Sequence, residues 1–131
     1  MPFLLLFFVF CFGNSNTCQA QLTKQTTQTI PIENAKFLRV TIDNAEIYFK
    51  EAKGDRLIVE ANIELSVPYE TLLNFVINNG RYQLQWTVEP NRKELLLTSE
   101  RGRDMLVVRG EVCQERVSYT IYVPKKLRHR L

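Results

Sequence analysis

Apolar residues occupy every second position of the segment LIVEANIELSV, residues 57–67. Successive side chains of a β-strand point to opposite sides of its sheet, whereas a helix repeats about every 3.6 residues. One face of this segment is therefore apolar along its whole length, and the other carries Glu60, Asn62 and Glu64. The pattern predicts a long strand with one buried face. Its register is fixed, because a shift of one residue would expose every apolar side chain.

The same two-residue period recurs in other segments, so most of the chain after residue 36 is expected to be β-structure. The period changes only at residues 69–79, where apolar side chains at 69, 72, 73 and 76 follow helical spacing between Pro68 and Asn79-Gly80. We predict a mainly-β fold of about seven strands with one short helix. It would be an antiparallel sheet or sandwich, or the start of a β-roll or solenoid. The predicted strands are residues 37–42, 45–50, 57–67, 81–88, 93–99, 104–110 and 117–123.

The N-terminal residues differ from the rest of the chain. MPFLLLFFVFCFG is apolar and uncharged, and it is shorter than the roughly 20 residues that span a bilayer. The small residues Cys18 and Ala20 follow it, in the pattern of an export cleavage site. We interpret residues 1–20 as a signal peptide cut between Ala20 and Gln21, although no Lys or Arg precedes the apolar run. The alternative is a buried N-terminal helix.

The next segment, residues 21–35, is polar and rich in Thr and Gln, and it contains Pro31. This composition is typical of a flexible segment that leads into a fold. The predicted organisation is therefore a signal peptide (1–20), a flexible segment (21–35), a β-domain (36–127) and a basic tail (128–131).

Four basic residues lie among the last seven: Lys125, Lys126, Arg128 and Arg130. The other 13 basic residues nearly balance the 14 acidic ones, so the net charge of +3 belongs to this end of the chain. Clustered cations are attracted to anionic surfaces. These four are our candidates for contact with such a surface, and a short solvated end is the simpler alternative.

Few residues suited to catalysis or metal binding are present. His129 is the single histidine, and cleavage after Ala20 would leave Cys113 as the single cysteine, so neither a catalytic triad nor a disulfide framework is expected. Glu60 and Glu64 would lie about 13 Å apart on their strand, wider than the carboxylate pairs of glycosidases. We expect no catalytic, cofactor-binding or metal-binding residues. Tyr82 and Trp86 fall on the apolar face of their strand, which favours core packing over stacking on nucleic acid.

Three short motifs lie along the predicted strands: Asn44-Ala45-Glu46-Ile47, Gly54-Asp55 with Val59-Glu60-Ala61, and the strand end from Tyr119 to Lys125. Together they resemble the adhesin-like (auto-transporter adhesin head-like) domains of bacterial envelope proteins. The resemblance covers residues 36–127, the N-terminal portion of such proteins. It implies a non-catalytic domain whose last strand would lead into further stacked strands. Without them, a sheet edge would be exposed and would allow self-association, unless the basic tail blunts it.

The expected function is that of an exported β-domain of the cell envelope that acts in adhesion or in contact with a protein or surface. The alternative is a carrier or binding module for a small envelope ligand. The expected location is the periplasm, the envelope or the extracellular space, with no stable transmembrane span after removal of the signal peptide. The sequence does not identify the partner, and we expect no nucleic acid.

Overall fold

The long alternating segment forms a strand, Leu57–Leu65, in which every second side chain is buried. The computed structural model describes residues 21–67, 69–99 and 105–130, with the backbone alone for Arg130. It confirms a mainly-β fold with one short helix. The strands are β1 (Leu22–Ile30), β2 (Phe37–Thr41), β3 (Glu46–Glu51), β4 (Leu57–Leu65), β5 (Leu84–Glu89), β6 (Glu94–Ser99), β7 (Val107–Val108), β8 (Glu111–Val112), β9 (Glu115–Val123) and β10 (Arg128–Arg130). The helix, α1, spans Glu70–Asn78.

Two four-stranded sheets make up most of the described fold. Sheet 1 has the strand order β1-β4-β9-β3, sheet 2 has the order β10-β2-β6-β5, and β7 and β8 form a separate ribbon. β4 is antiparallel to both β1 and β9, and β5 is antiparallel to β6. The other pairings in the two sheets, β3 with β9, β2 with β6 and β10 with β2, are parallel. The pairing is thus mixed rather than wholly antiparallel.

Each parallel pair joins two strands between which the chain passes through the other sheet. The chain passes from β2 in sheet 2 to β3 in sheet 1, and later from β9 in sheet 1 to β10 in sheet 2. β3 and β9 are separated by a passage through sheet 2 and lie side by side in the same direction. Sequence periodicity shows which face of each strand is buried but not which strands are neighbours.

The core lies between the two sheets. Alternate residues of β4 and β9 face inward, and Leu38, Leu95 and Leu97 face them from sheet 2 with no exposed surface. Tyr119 is also buried, and its hydroxyl donates a hydrogen bond to the carbonyl of Tyr82 at 2.9 Å. Tyr82 is buried and Trp86 packs against the core, as their positions on an apolar face predicted.

The prediction of a flexible segment at residues 21–35 is wrong. Leu22–Ile30 is a nine-residue strand that pairs with the whole length of β4, and Ile30, Ile32 and Ala35 lie in the core. The polar composition of β1 concealed it, because most of its side chains are Thr, Gln or Lys and lie at the edge of a sheet. Threonine nevertheless favours extended backbone, since its side chain is branched at Cβ. The β-domain therefore begins well before residue 36.

The prediction that residues 128–131 form a basic tail outside the β-domain is also wrong for Arg128–Arg130. These residues form β10, which pairs with Phe37–Arg39 of β2 at the edge of sheet 2. The imidazole of His129 lies against the ring of Phe49 in β3, with 4.0 Å between ring centroids. Leu127 holds the turn before β10 in the core. The β-domain thus extends beyond residue 127.

The helix lies in the crossover from β4 of sheet 1 to β5 of sheet 2. Leu73 and Val76 enter the core, and Gly80 ends the helix with a positive φ of 83°, as the Asn-Gly pair predicted. The predicted role of Pro68 at the start of the helix lies outside the described residues. Arg81, just after the helix, donates to Glu115 Oε1 at 2.8 Å and ties the crossover to the start of β9. Within the described ranges, no helix is long and apolar enough to cross a membrane.

A glutamine side chain joins the two sheets at the end where β1 faces β5. Gln28 Nε2 donates to the carbonyl of Leu84 at 2.8 Å, and Gln28 Oε1 accepts from the Leu84 amide at 3.0 Å. Leu84 is the first residue of the edge strand β5. The glutamine therefore takes the place of a neighbouring strand for one residue of that edge.

Replacing Gln28 by alanine should lower the free energy of unfolding by about 1–2 kcal/mol, because two part-buried hydrogen bonds are lost. Urea titration followed by circular dichroism measures this change. The matched control is Gln25→Ala on the same strand, where the side chain is exposed, and its effect should stay within about 0.5 kcal/mol. Equal effects of the two substitutions would contradict a stabilising role for the Gln28 contacts.

Candidate functional site

Three separate segments meet at the start of β2 and form the floor of a groove. The backbone amides of Lys36 and Phe37 both donate to the carbonyl of Lys93, at 2.7 and 3.1 Å. The amide of Arg128 donates to the carbonyl of Lys36 at 2.9 Å. Lys93 closes the turn between β5 and β6, and Arg128 begins β10. Backbone hydrogen bonds thus hold residues from distant parts of the sequence side by side.

Buried apolar residues fix the loops on both sides of this groove. Ile32 and Ala35 are buried, and the Ala35 amide donates to the Ile32 carbonyl at 2.9 Å across a turn in which Glu33 has a φ of 50°. Leu127 is buried in the same way, and its amide donates to the carbonyl of Pro124 at 3.0 Å. Because these residues face inward, the polar residues next to them line the groove.

The groove carries four cationic side chains and one carboxylate. Its volume is about 760 Å³. In the part of the chain that the structure describes, no ion pair joins Lys36, Lys93 or Arg128 to a carboxylate. The charge that lines the groove is therefore predominantly positive, and it suits an anionic group such as a phosphate. The charged lining residues are Lys36, Lys93, Lys126, Arg128 and Glu33.

The structure separates the four basic residues that the sequence singled out. Lys126 and Arg128 line the groove. Lys125 lies outside it, with its Nζ 3.5 Å from Glu51 Oε1, an exposed ion pair. Lys126 Nζ is 3.8 Å from Asp55 Oδ1, so it lies between the groove and that carboxylate. Arg130 belongs to β10, and Gln21, at the predicted cleavage site, is exposed just before β1, whereas Ala20 lies outside the described residues.

Sequence reasoning missed Lys36 and Lys93. Each is a single cation in a segment of mixed charge, so neither stands out in the sequence. They reach the groove only because β2 and β6 are parallel neighbours with Phe37 opposite Glu94. A positive φ of 51° at Lys93 marks the tight turn that brings it there.

Two carboxylates on the outer face of sheet 1 accept hydrogen bonds from tyrosine hydroxyls. Glu60 Oε2 accepts a hydrogen bond from the Tyr122 hydroxyl at 3.3 Å, and Glu46 Oε2 accepts one from Tyr48 at 2.8 Å. Among the described residues, no three His, Cys, Asp or Glu side chains are grouped as metal ligands would be. Cys113 is partly buried and packs against the core.

No family model, no curated protein and no solved structure matches this chain.

Both tyrosine–carboxylate pairs lie on the outer face of sheet 1, and in both pairs the pKa of the tyrosine is raised. The pKa of Tyr48 is raised above the ordinary phenol value, first by its hydrogen bond to Glu46 and then by the negative charge of that carboxylate. The pKa of Tyr122 is raised by desolvation and by the charge and hydrogen bond of Glu60. Since the folded pKa is raised, the stability that each pair contributes is present below the unfolded pKa of about 10. It is lost as the pH rises through the folded pKa.

Replacing Glu46 by glutamine should lower the pKa of the Tyr48 phenol, because the negative charge that opposes phenolate formation is removed. Ultraviolet absorbance of tyrosinate during an alkaline titration measures the change, and the Tyr48→Phe protein identifies the transition that belongs to this residue. Glu64→Gln, on β4 of the same sheet, is the matched control. An unchanged Tyr48 transition in the Glu46→Gln protein would refute the assignment of the shift to this carboxylate.

Proposed function

We propose that the chain is an exported, non-catalytic β-domain of the cell envelope that binds phosphate-bearing groups in its basic groove. The observation that supports this most directly is the convergence of Lys36, Lys93, Lys126 and Arg128 around one groove that also contains a single carboxylate, Glu33. Lys126 and Arg128 belong to the basic end of the sequence, and the fold brings Lys36 and Lys93 next to them.

Electrostatics determines how strong such binding can be. Each cation near an anionic membrane surface contributes about 1 kcal/mol. The four groove cations therefore suffice for weak, reversible binding, reduced by the repulsion of Glu33. At physiological ionic strength the Debye length is about 8 Å, so added salt weakens this attraction.

The proposed export rests on the apolar N-terminal run and the small residues that follow it. The cut between Ala20 and Gln21 would leave β1 whole, since that strand begins at Leu22. The adhesin-like resemblance agrees with an envelope location and with the absence of catalysis, and both remain part of the proposal.

N-terminal sequencing of the protein exported by expressing cells should give Gln21 as the first residue. A chain that begins at Met1 and stays with the cytoplasmic fraction would refute export. A different first residue after export would move the cleavage site but leave the envelope location in place.

Removing three groove cations should abolish most binding to anionic vesicles. The test protein carries Lys36→Gln, Lys93→Gln and Arg128→Gln. The matched control carries Lys53→Gln, Arg56→Gln and Arg116→Gln, three exposed cations that do not line the groove. Sedimentation with vesicles of phosphatidylcholine, with and without phosphatidylglycerol, measures binding. The wild-type and control proteins should sediment with the anionic vesicles, and the test protein should bind at least tenfold more weakly, the loss of about 1.4 kcal/mol.

Two further measurements identify the source of the phosphate. If the groove recognises the phosphate group itself, inorganic phosphate should release the protein from vesicles more effectively than chloride at equal ionic strength. If only the membrane's field attracts the protein, the two salts should act alike. Equal loss of binding in the test and control proteins would contradict the groove as the binding site.

We also propose that copies of the chain associate through an exposed sheet edge. Unpaired backbone groups along an edge strand favour pairing with another strand, and proteins usually protect such edges. The described part of the two sheets has four edge strands: β1, β3, β5 and β10.

A further inference from the structure

We infer that β3 is the strand through which two copies pair, antiparallel and centred on Tyr48. The inference rests on the proposed association between copies and names the strand, the register and the charges that fix it.

The other three edge strands are less suited to pairing between two copies. The Leu84 end of β5 is bonded by the side chain of Gln28. Among the described strands β1 pairs only with β4, and it has neither an exposed aromatic side chain nor a pair of opposite charges that a second copy could match. β10 is three residues long and has arginine at both ends, so two copies paired about its centre would place arginine opposite arginine.

β3 differs from these edges in what it exposes. In the described part of the chain it is the last strand of sheet 1, paired only with β9. Tyr48 is 52% exposed and Phe49 41% exposed, two of the largest apolar side chains on the described surface. They point to opposite faces of the sheet, so a strand added beside β3 would cover part of both.

A two-fold axis perpendicular to the sheet determines which registers are allowed. Such an axis keeps the outer face of sheet 1 on the same side in both copies, so only residues of the same face can lie opposite each other. Centred on Tyr48, this rule places Glu46 opposite Lys50 of the second copy, and Ile47 opposite Phe49. Each of these pairs occurs twice by symmetry.

This register has better complementarity than its neighbours on β3. Opposite charges and apolar side chains stabilise directly opposed positions. Centring on Phe49 would place the carboxylate of Glu51 opposite Ile47, and centring on Ile47 would pair only three residues of the strand. The Tyr48 register pairs five residues and leaves neither an unmatched charge nor an unmatched apolar side chain on them.

Charge exchange tests this register. In Glu46→Lys, lysine faces lysine across the axis, and in Lys50→Glu, glutamate faces glutamate. Each single substitution should raise the dimer dissociation constant about tenfold or more. The double variant Glu46→Lys/Lys50→Glu should restore it to near the wild-type value. Within one copy these residues are about 13 Å apart along the strand, so recovery in the double variant would arise between copies.

Sedimentation equilibrium of the protein purified from cells that express the whole chain measures the dissociation constant. Mixing the two single variants gives a second readout, because the lysines at both positions of one variant would then face the glutamates at both positions of the other. The mixture should associate more tightly than either variant alone. Lys53→Glu, a charge reversal in an exposed loop, is the matched control and should associate as the wild type does.

The outcomes separate the inference from the proposal on which it rests. A wild-type protein that is monomeric at every concentration would overturn both the association and the role of β3. Association of equal strength in the wild type and in both single variants would overturn β3 alone and leave pairing through another edge. Weakening in both single variants without recovery in the double variant would overturn the Tyr48 register. Binding to vesicles through the groove is measured in separate experiments, so none of these three outcomes decides whether the groove binds phosphate.

Discussion

The burial of one face of each sheet against the other is the interaction on which the rest of the structure depends. Leu57, Ile63 and Ile121 from sheet 1 meet Leu38 and Leu97 from sheet 2, all without exposed surface. A side chain buried in this way contributes about 1.5–3 kcal/mol. The groove depends on the same core, since Ile32, Ala35 and Leu127 anchor the loops that carry its lysines and arginine. A cavity made at one of these anchors would therefore disturb the groove and the fold together.

Different kinds of contact link the two sheets at the two lateral edges of the sandwich, β1 with β5 and β3 with β10. At one end, Gln28 binds the backbone of Leu84, and Arg81 joins the helix crossover to β9, so the sheets are linked by directional hydrogen bonds. At the other end, β3 and β10 are linked by the contact between the rings of Phe49 and His129. That contact covers apolar surface but leaves the backbone edge of β3 unpaired by any described strand. Polar contacts thus link the sheets at the edge formed by β1 and β5, and an aromatic contact links them at the edge formed by β3 and β10.

The sequence predicted strands where apolar residues recur at every second position and missed β1, β8 and β10, which lack that pattern. Apolar residues alternate strictly in β4 and β9, and the helical spacing lies between Pro68 and Asn79-Gly80 in the sequence. All three elements were therefore predictable. β1 was not predicted as a strand because its inward positions include Lys24 and Gln28. These side chains make polar contacts with α1 and β5 and do not fill the core. β10 escaped because a single buried residue before it, Leu127, holds it in place. Half of the groove was predictable as a cluster of basic residues, but Lys36 and Lys93 meet only through the parallel pairing of β2 with β6, which periodicity does not encode.

The two proposed surfaces lie on different parts of the fold. The groove lies where β2 and β10 begin and where β5 turns into β6, which is one end of the strands of sheet 2. The proposed two-fold axis is perpendicular to sheet 1, so it reverses the direction of the strands from one copy to the other. The grooves of the two copies would therefore lie at opposite ends of the dimer. Each groove would bind a phosphate-bearing group by itself, and the strength of that binding should not depend on the pairing of β3.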